Sequence, residues 1–189
     1  QNKGYEVQCI LTKGAEPFVS RVSIEAISQN SVLGPQVFSH TNCDLFEHIH
    51  ASKKADAIVI APASANTIAK IAHGFADDFL QSLILANTSC PVLLAPAMNE
   101  GMWQNPITQK NIDIIKAMGM KIAPPQTTGV LACGIEGVGK MATEEEILSH
   151  LERLKTPQLF EGKKILISLG NYNALVGTFV LSQMPWFGF

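Results

Sequence analysis

Two uninterrupted apolar runs of strand length constrain this chain more than any other feature: 57–61 (AIVIA) and 91–95 (PVLLA). A strand that is apolar at every position must be covered on both faces, which is the situation of a parallel sheet between helix layers. The flanking stretches have helical periodicity. They are 20–29, 64–72, 77–86 and 106–118, with Ser64 and Asp77 as expected N-caps and Pro106 in a first turn. A further helix is expected over 143–154, which opens on Thr143-Glu-Glu-Glu146, a capping-box pattern. Residues 5–11 (YEVQCIL) alternate apolar and polar and read as a strand, and 121–123 reads as a short one.

Strands alternating with helices define the fold class: α/β, a doubly wound open parallel sheet of the flavodoxin/Rossmann-like kind. Ligands of such sheets bind outside the carboxyl ends of the strands. The segments after three strands therefore matter: Thr12-Lys13, 62–67 and 96–103.

Composition narrows the functions. With 189 residues and 47% apolar content the chain can build a core, while its 16% charged residues fall below the ~25% of an average domain. That deficit points to surface buried against a partner chain. A net charge of −2 and a pI of about 6.2 leave no basic footprint, so no nucleic-acid partner is expected. The four cysteines, Cys9, Cys43, Cys90 and Cys133, are too widely spaced for a metal knuckle or a disulfide framework. A reducing compartment, the cytoplasm, is the expectation. The first residues have no apolar signal core and no start methionine, so the chain is expected to begin inside a longer protein. Residues 165–189 are uncharged but hold Gly, Asn and Pro, which makes a poor spanning helix; a membrane role for them is only a minor alternative.

Several motifs carry chemistry, each beside a plainer reading. Residues 61–67 (APASANT) join a buried strand to a helix whose free N–H groups favour an anionic or carbonyl-rich ligand, or are simply an ordinary capped turn. Residues 96–103 (PAMNEGMW) place Asn99, Met102 and Trp103 in a loop; Asn offers a donor and an acceptor for a carboxylate or amide, or is a turn residue over the core. Residues 129–141 (GVLACGIEGVGKM) form a glycine-rich loop able to act as a lid, with Cys133 near the cation Lys140, or with a small structural thiol. The same loop matches G-x-x-x-x-G-K, but Met141 stands where a phosphate loop needs Ser or Thr, and no apolar strand leads into it. Nucleotide hydrolysis is rejected. His48-Ile-His50 reads as two metal ligands on one strand face, as a single catalytic histidine, or as polar surface; no third ligand clusters nearby, so no metal is expected.

The segments APASANTIAKIAHGFADD (61–78), PAMNEGMW (96–103) and GVLACGIEGVGKM (129–141), in this order, resemble the flavin-containing cysteine decarboxylases, and among them the phosphopantothenoylcysteine decarboxylases. The resemblance covers about 4–154. It implies FMN as cofactor and decarboxylation of 4′-phosphopantothenoylcysteine to 4′-phosphopantetheine in coenzyme A biosynthesis. It implies His48 as the active-site histidine, Asn99 as the holder of the substrate carboxylate, and Cys133 as the proton donor of the last step. Ser64, Ala65, Asn66 and Thr67 resemble the FMN-binding segment, and Thr12 and Phe18 further flavin contacts. Met102 and Lys140 are implied in substrate binding. The family also implies a homotrimer with the flavin between protomers.

Two departures follow from the resemblance. The family opens with a strand and a Gly/Ser-rich turn that binds the FMN phosphate, and here the chain starts after it, so the sheet is expected to lack its first strand. Residues 161–170 (EGKKILISLG) resemble the entry strand of a fused ligase half. The expected organisation is a decarboxylase domain over 1–154, a linker over 155–162, and a ligase-like stub with a divergent tail over 163–189. The alternative function is a non-catalytic or truncated member acting through protein–protein contact; a peptidyl-cysteine decarboxylase is a third reading, since it shares the PAMN motif.

Overall fold

The computed structural model describes residues 4–34, 47–127 and 137–155, all within a unit spanning Gln1–Thr156. The expected linker and stub lie outside the described residues, except that Lys155 closes the last helix.

Three parallel strands form the sheet: β1 (Ile58–Ala63), β2 (Val92–Pro96) and β3 (Lys121–Ile122), in the order β1-β2-β3. Seven helices accompany them among the described residues: α1 (Arg21–Ser28), α2 (Glu47–Lys54), α3 (Ala65–Ala72), α4 (Phe79–Ala86), α5 (Glu100–Gln104), α6 (Pro106–Ala117) and α7 (Glu144–Lys155). This is the open parallel α/β sheet expected from the two apolar runs.

β2 is buried at every position, and its alternate residues feed two different cores. Val92 and Leu94 join Ile58 and Ile60 of β1 with Ile68, Leu83 and Ile112 of the helices α3, α4 and α6. Leu93 and Ala95 point the other way, onto Ala142, Ile147 and Leu151 around α7. The period of two along a strand thus makes one segment the divider of both layers. Truncating fully buried Leu93 to Ala would cost about 2–5 kcal/mol, since it removes contacts and leaves a void. β1 is covered on one face only: Ile58 and Ile60 are buried, whereas Val59, paired with Leu93, is exposed. The β1–β2 register shifts between Ile60 and Ala63, where Pro62 removes a ladder donor.

Helix ends follow local chemistry. Ser20, Ser64, Asp78 and Asn105 each cap a helix with a side-chain oxygen, and Gln29 closes α1 at φ 56°. The capping box is present: Thr143 N donates to Glu146 Oε2 at 2.7 Å and Glu146 N to Thr143 Oγ1 at 3.2 Å. The α4 cap is Asp78, not the expected Asp77. Lys70 draws Asp77 into an ion pair at 2.6 Å instead, which holds its carboxyl below the usual range.

Residues 5–11 do not make a regular strand. Only their end pairs, in parallel, with Leu33: Leu11 N donates to Leu33 O at 2.8 Å and Leu33 N to Cys9 O at 2.9 Å. Gly34 is required beside this bridge, because a Cβ there would stand 2.5 Å from Leu11 O.

Candidate functional site at the carboxyl edge of the sheet

Ser64 ends β1 and begins α3. Its Oγ accepts from Thr67 N at 3.2 Å and lies 3.1 Å from Thr67 Oγ1. Ser64 and Asn66 are exposed, and Ala65 and Thr67 half-buried, so the first turn of α3 faces solvent at the ligand-binding edge. Among the described residues the Asn66 side chain makes no hydrogen bond.

The second segment leaves β2. Ala97 N donates to Ala63 O at 3.1 Å, which keeps the exits of β1 and β2 together. Asn99, Met102 and Trp103 are not in a loop as expected: Asn99 caps α5, the short helix that holds Met102 and Trp103. Asn99 Oδ1 accepts from Gly101 N at 2.9 Å, and its carbonyl from Trp103 N at 2.9 Å. The cap engages Oδ1, and among the described residues no hydrogen bond engages the Nδ2 donors of this exposed residue. That is a useful asymmetry, because a carboxylate needs only donors. Met102 is 50% exposed on the same short helix.

The third segment, 137–142, comes alongside. Met98 N donates to Gly139 O at 3.0 Å. Gly139 has φ +132°, and a Cβ on it would stand 2.1 Å from Met98 O; a Cβ on Gly137 would stand 2.4 Å from Glu100 Oε2. At Gly139 only glycine permits the approach, because the atom met is backbone, whereas at Gly137 the flexible Glu100 side chain can swing aside. Lys140 follows, exposed, with its main chain paired to Gln126.

These bonds bring Ser64, Asn99 and Lys140 to one edge. Thr12 and Phe18 lie on a separate turn, where Thr12 O accepts from Ala15 N at 2.9 Å and Phe18 is 88% exposed. Cys133 lies outside the described residues. His48 lies on α2; the HIH stretch is helical rather than extended, and positions two apart on a helix do not share a face. Helix-forming Glu47, Ala51 and Lys53 were the signal against a strand. Sequence reasoning also missed Gln126, whose Nε2 donates to Met141 O at 3.0 Å.

The edge fits a flavin by its donor set. It offers neutral N–H and amide donors at a helix start, with the exposed apolar side chain of Met102 beside them for an aromatic ring system. Cys90 is elsewhere: a cavity of about 350 Å³ at the amino end of β2 is lined by Cys90, Pro91, Val92, Phe75, Leu85 and Met118. Burial, with the Asp56 carboxylate nearby, pushes the Cys90 thiol pKa up, so this cysteine is poorly nucleophilic.

Comparison with known proteins gives relatives of one kind. The chain is 40% identical over 150 residues to the Streptococcus mutans protein named "Probable phosphopantothenoylcysteine decarboxylase", covering 79% of this chain and 83% of that protein. It is 38% identical over 170 residues to the coenzyme A biosynthesis bifunctional protein CoaBC of Bacillus subtilis, covering 88% of this chain. The chain spans 41% of that bifunctional relative's length. Among solved structures, a Cys-to-Ser variant of PPC decarboxylase complexed with pantothenoylaminoethenethiol matches with TM-score 0.73 and 32% identity, over 82% of this chain and 85% of that one. The FMN-dependent cysteine decarboxylase SpaF matches with TM-score 0.64 and 29% identity, over 79% of each chain. These relatives do not favour the non-catalytic alternative. The family model described as Flavoprotein matches residues 1–155, and the chain belongs to that family.

Proposed function

We propose that the chain is an FMN-dependent decarboxylase that converts 4′-phosphopantothenoylcysteine to 4′-phosphopantetheine in coenzyme A biosynthesis. The observation that carries this is the composition of the carboxyl edge: the open α3 start and the Asn99 amide donors are tied together through Ala63–Ala97 and flanked by Gly139-Lys140. The names of the relatives supply the reaction.

In this reading Ser64, Ala65, Asn66 and Thr67 hold FMN, with Thr12 and Phe18 as further contacts. Bound FMN supplies the reversible two-electron oxidation that a simple α-carboxylate needs, since the carbanion left by CO₂ otherwise has no electron sink. Asn99 donates from Nδ2 to the substrate carboxylate while its Oδ1 stays on the cap. Met102 covers the substrate and Lys140 supplies a positive charge beside it. His48 acts as a base or orients the substrate thiol, and Cys133 gives the final proton.

The partner is a second and third copy of the chain, with the flavin between protomers. The low charge content and the exposed apolar side chains Phe18, Val22 and Ile27 support that assembly. The decarboxylase domain is 1–154, followed by a linker over 155–162 and, over 163–189, a stub that resembles the start of a ligase domain and then diverges. The enzyme works in the cytoplasm; no described helix is long and apolar enough to cross a membrane.

The test offers the chain 4′-phosphopantothenoylcysteine and, in parallel, a peptide ending in cysteine. Conversion of the first alone supports the reading, and conversion of the peptide alone replaces it with a peptidyl-cysteine decarboxylase. Cys133→Ser should still release CO₂ but accumulate a product lighter by two hydrogens; normal product at the normal rate removes Cys133 from the mechanism.

A further inference from the structure

The direction of the Asn99 donors depends on the turn that carries them, and that turn is braced from the side. Met98 N, next to Asn99, has its acceptor in Gly139 O at 3.0 Å. Gly139 belongs to no helix or regular strand, so something else must fix it. That something is Gln126. Its N–H donates to Lys140 O at 2.8 Å, its carbonyl accepts from Gly139 N at 3.3 Å, and its side-chain Nε2 donates to Met141 O at 3.0 Å.

The place of Gln126 in the chain explains why it does this. Beyond β3, Ala123 N still donates to Leu94 O at 2.8 Å. Pro124 and Pro125 follow, and neither has an N–H. Gln126 is thus the first residue after Ala123 able to donate from its main chain. The two main-chain bonds are open to any residue but proline. The third needs a side-chain donor of this length, which Glu, though nearly isosteric, lacks. The contact is stiff as well, because Gly139 approaches the Met98 carbonyl too closely to leave room for a Cβ.

We infer that Gln126 is a positioning residue: through Gly139 and Met98 it sets the orientation of Asn99 at the carboxyl edge. This rests on the role proposed for Asn99 above. Gln126 itself touches no reacting atom.

The test compares the full chain carrying FMN with its Gln126→Glu form, with Gln126→Ala as the second variant should the first not fold. The primary readout is amide hydrogen exchange in peptides covering 97–103. The inference expects exchange there to rise at least about fivefold while peptides from α3 and α4 are unchanged, and kcat/KM to fall about tenfold with flavin affinity kept. Unchanged exchange at 97–103 overturns the inference, and so does faster exchange with unaltered kcat/KM. A wild-type chain that binds FMN but turns over no substrate sinks the proposed function instead. Exchange at 97–103 still decides the coupling in that case.

Discussion

The Met98 amide donates to the Gly139 carbonyl at 3.0 Å, and this bond joins the turn that leaves β2 to the segment that carries Lys140. Two motifs far apart in sequence become neighbours at the sheet edge through one main-chain contact. Its geometry excludes any side chain on Gly139.

Gly139→Ala should therefore be harmful out of proportion to its size. The new Cβ meets Met98 O, and the backbone there is in a region that costs an L-residue about 1–3 kcal/mol. Urea unfolding should show a loss in that range, with turnover reduced further because Asn99 shifts. A variant as stable and as active as the parent would show that the segment can move away freely.

Asn99→Asp keeps the cap, since a carboxylate oxygen can accept from Gly101 N as Oδ1 does. It removes the Nδ2 donors and puts a negative charge before the substrate carboxylate. Thermal stability and FMN binding should hold while kcat/KM drops at least tenfold, about 1.4 kcal/mol. Undiminished turnover would mean that Asn99 does not meet the carboxylate.

Ser64→Ala removes the oxygen that accepts from Thr67 N at the start of α3. The expected cost is about 1 kcal/mol, and Ser64→Asn should recover most of it, because Asn caps as well as Ser. Chemical denaturation of the three forms checks this; equal midpoints would place the stability of α3 wholly in its packing.

His150 on α7 has its pKa lowered, mainly by burial and secondarily by Arg153, against an opposing effect of Glu146. The folded chain thus binds this proton less readily than the unfolded one. The stabilising contribution is full above the ordinary value of 6.5 and is lost as pH falls below it toward the lowered folded pKa. Relative to the parent, His150→Gln should lose less stability between pH 7.5 and 5. Parallel pH profiles for the two would contradict the assignment.

The strands β1 and β2 were legible as unbroken apolar runs, although only β2 is buried on both faces and Val59 of β1 is exposed, and α3, α6 and α7 because Ser64, Pro106 and Thr143 mark their starts. The errors have two causes: contacts made in three dimensions, and local capping or helix propensity that the apolar pattern did not show. Residues 5–11 alternate like a strand, yet among the described residues only Ile10 bridges, to Leu33. Asp77 was the expected cap of α4, but Lys70 captures it and Asp78 caps instead. Gly101 hid the short helix α5, which exists because Asn99 caps it. The edge residues Ser64, Asn99 and Lys140 were singled out in the sequence by motif, whereas Gln126 was invisible there. A lone Gln after two prolines acquires meaning only when Met141 arrives opposite it.

The central claim is that this chain uses FMN to decarboxylate 4′-phosphopantothenoylcysteine. The most direct measurement loads the purified chain with FMN, removes free flavin, adds the substrate and follows product mass and released CO₂ together. The account predicts a yellow protein that forms CO₂ and 4′-phosphopantetheine in equal amounts, and loses that activity when the flavin is stripped. A flavin-loaded chain that leaves the substrate intact, or one that decarboxylates it equally well without flavin, would contradict it.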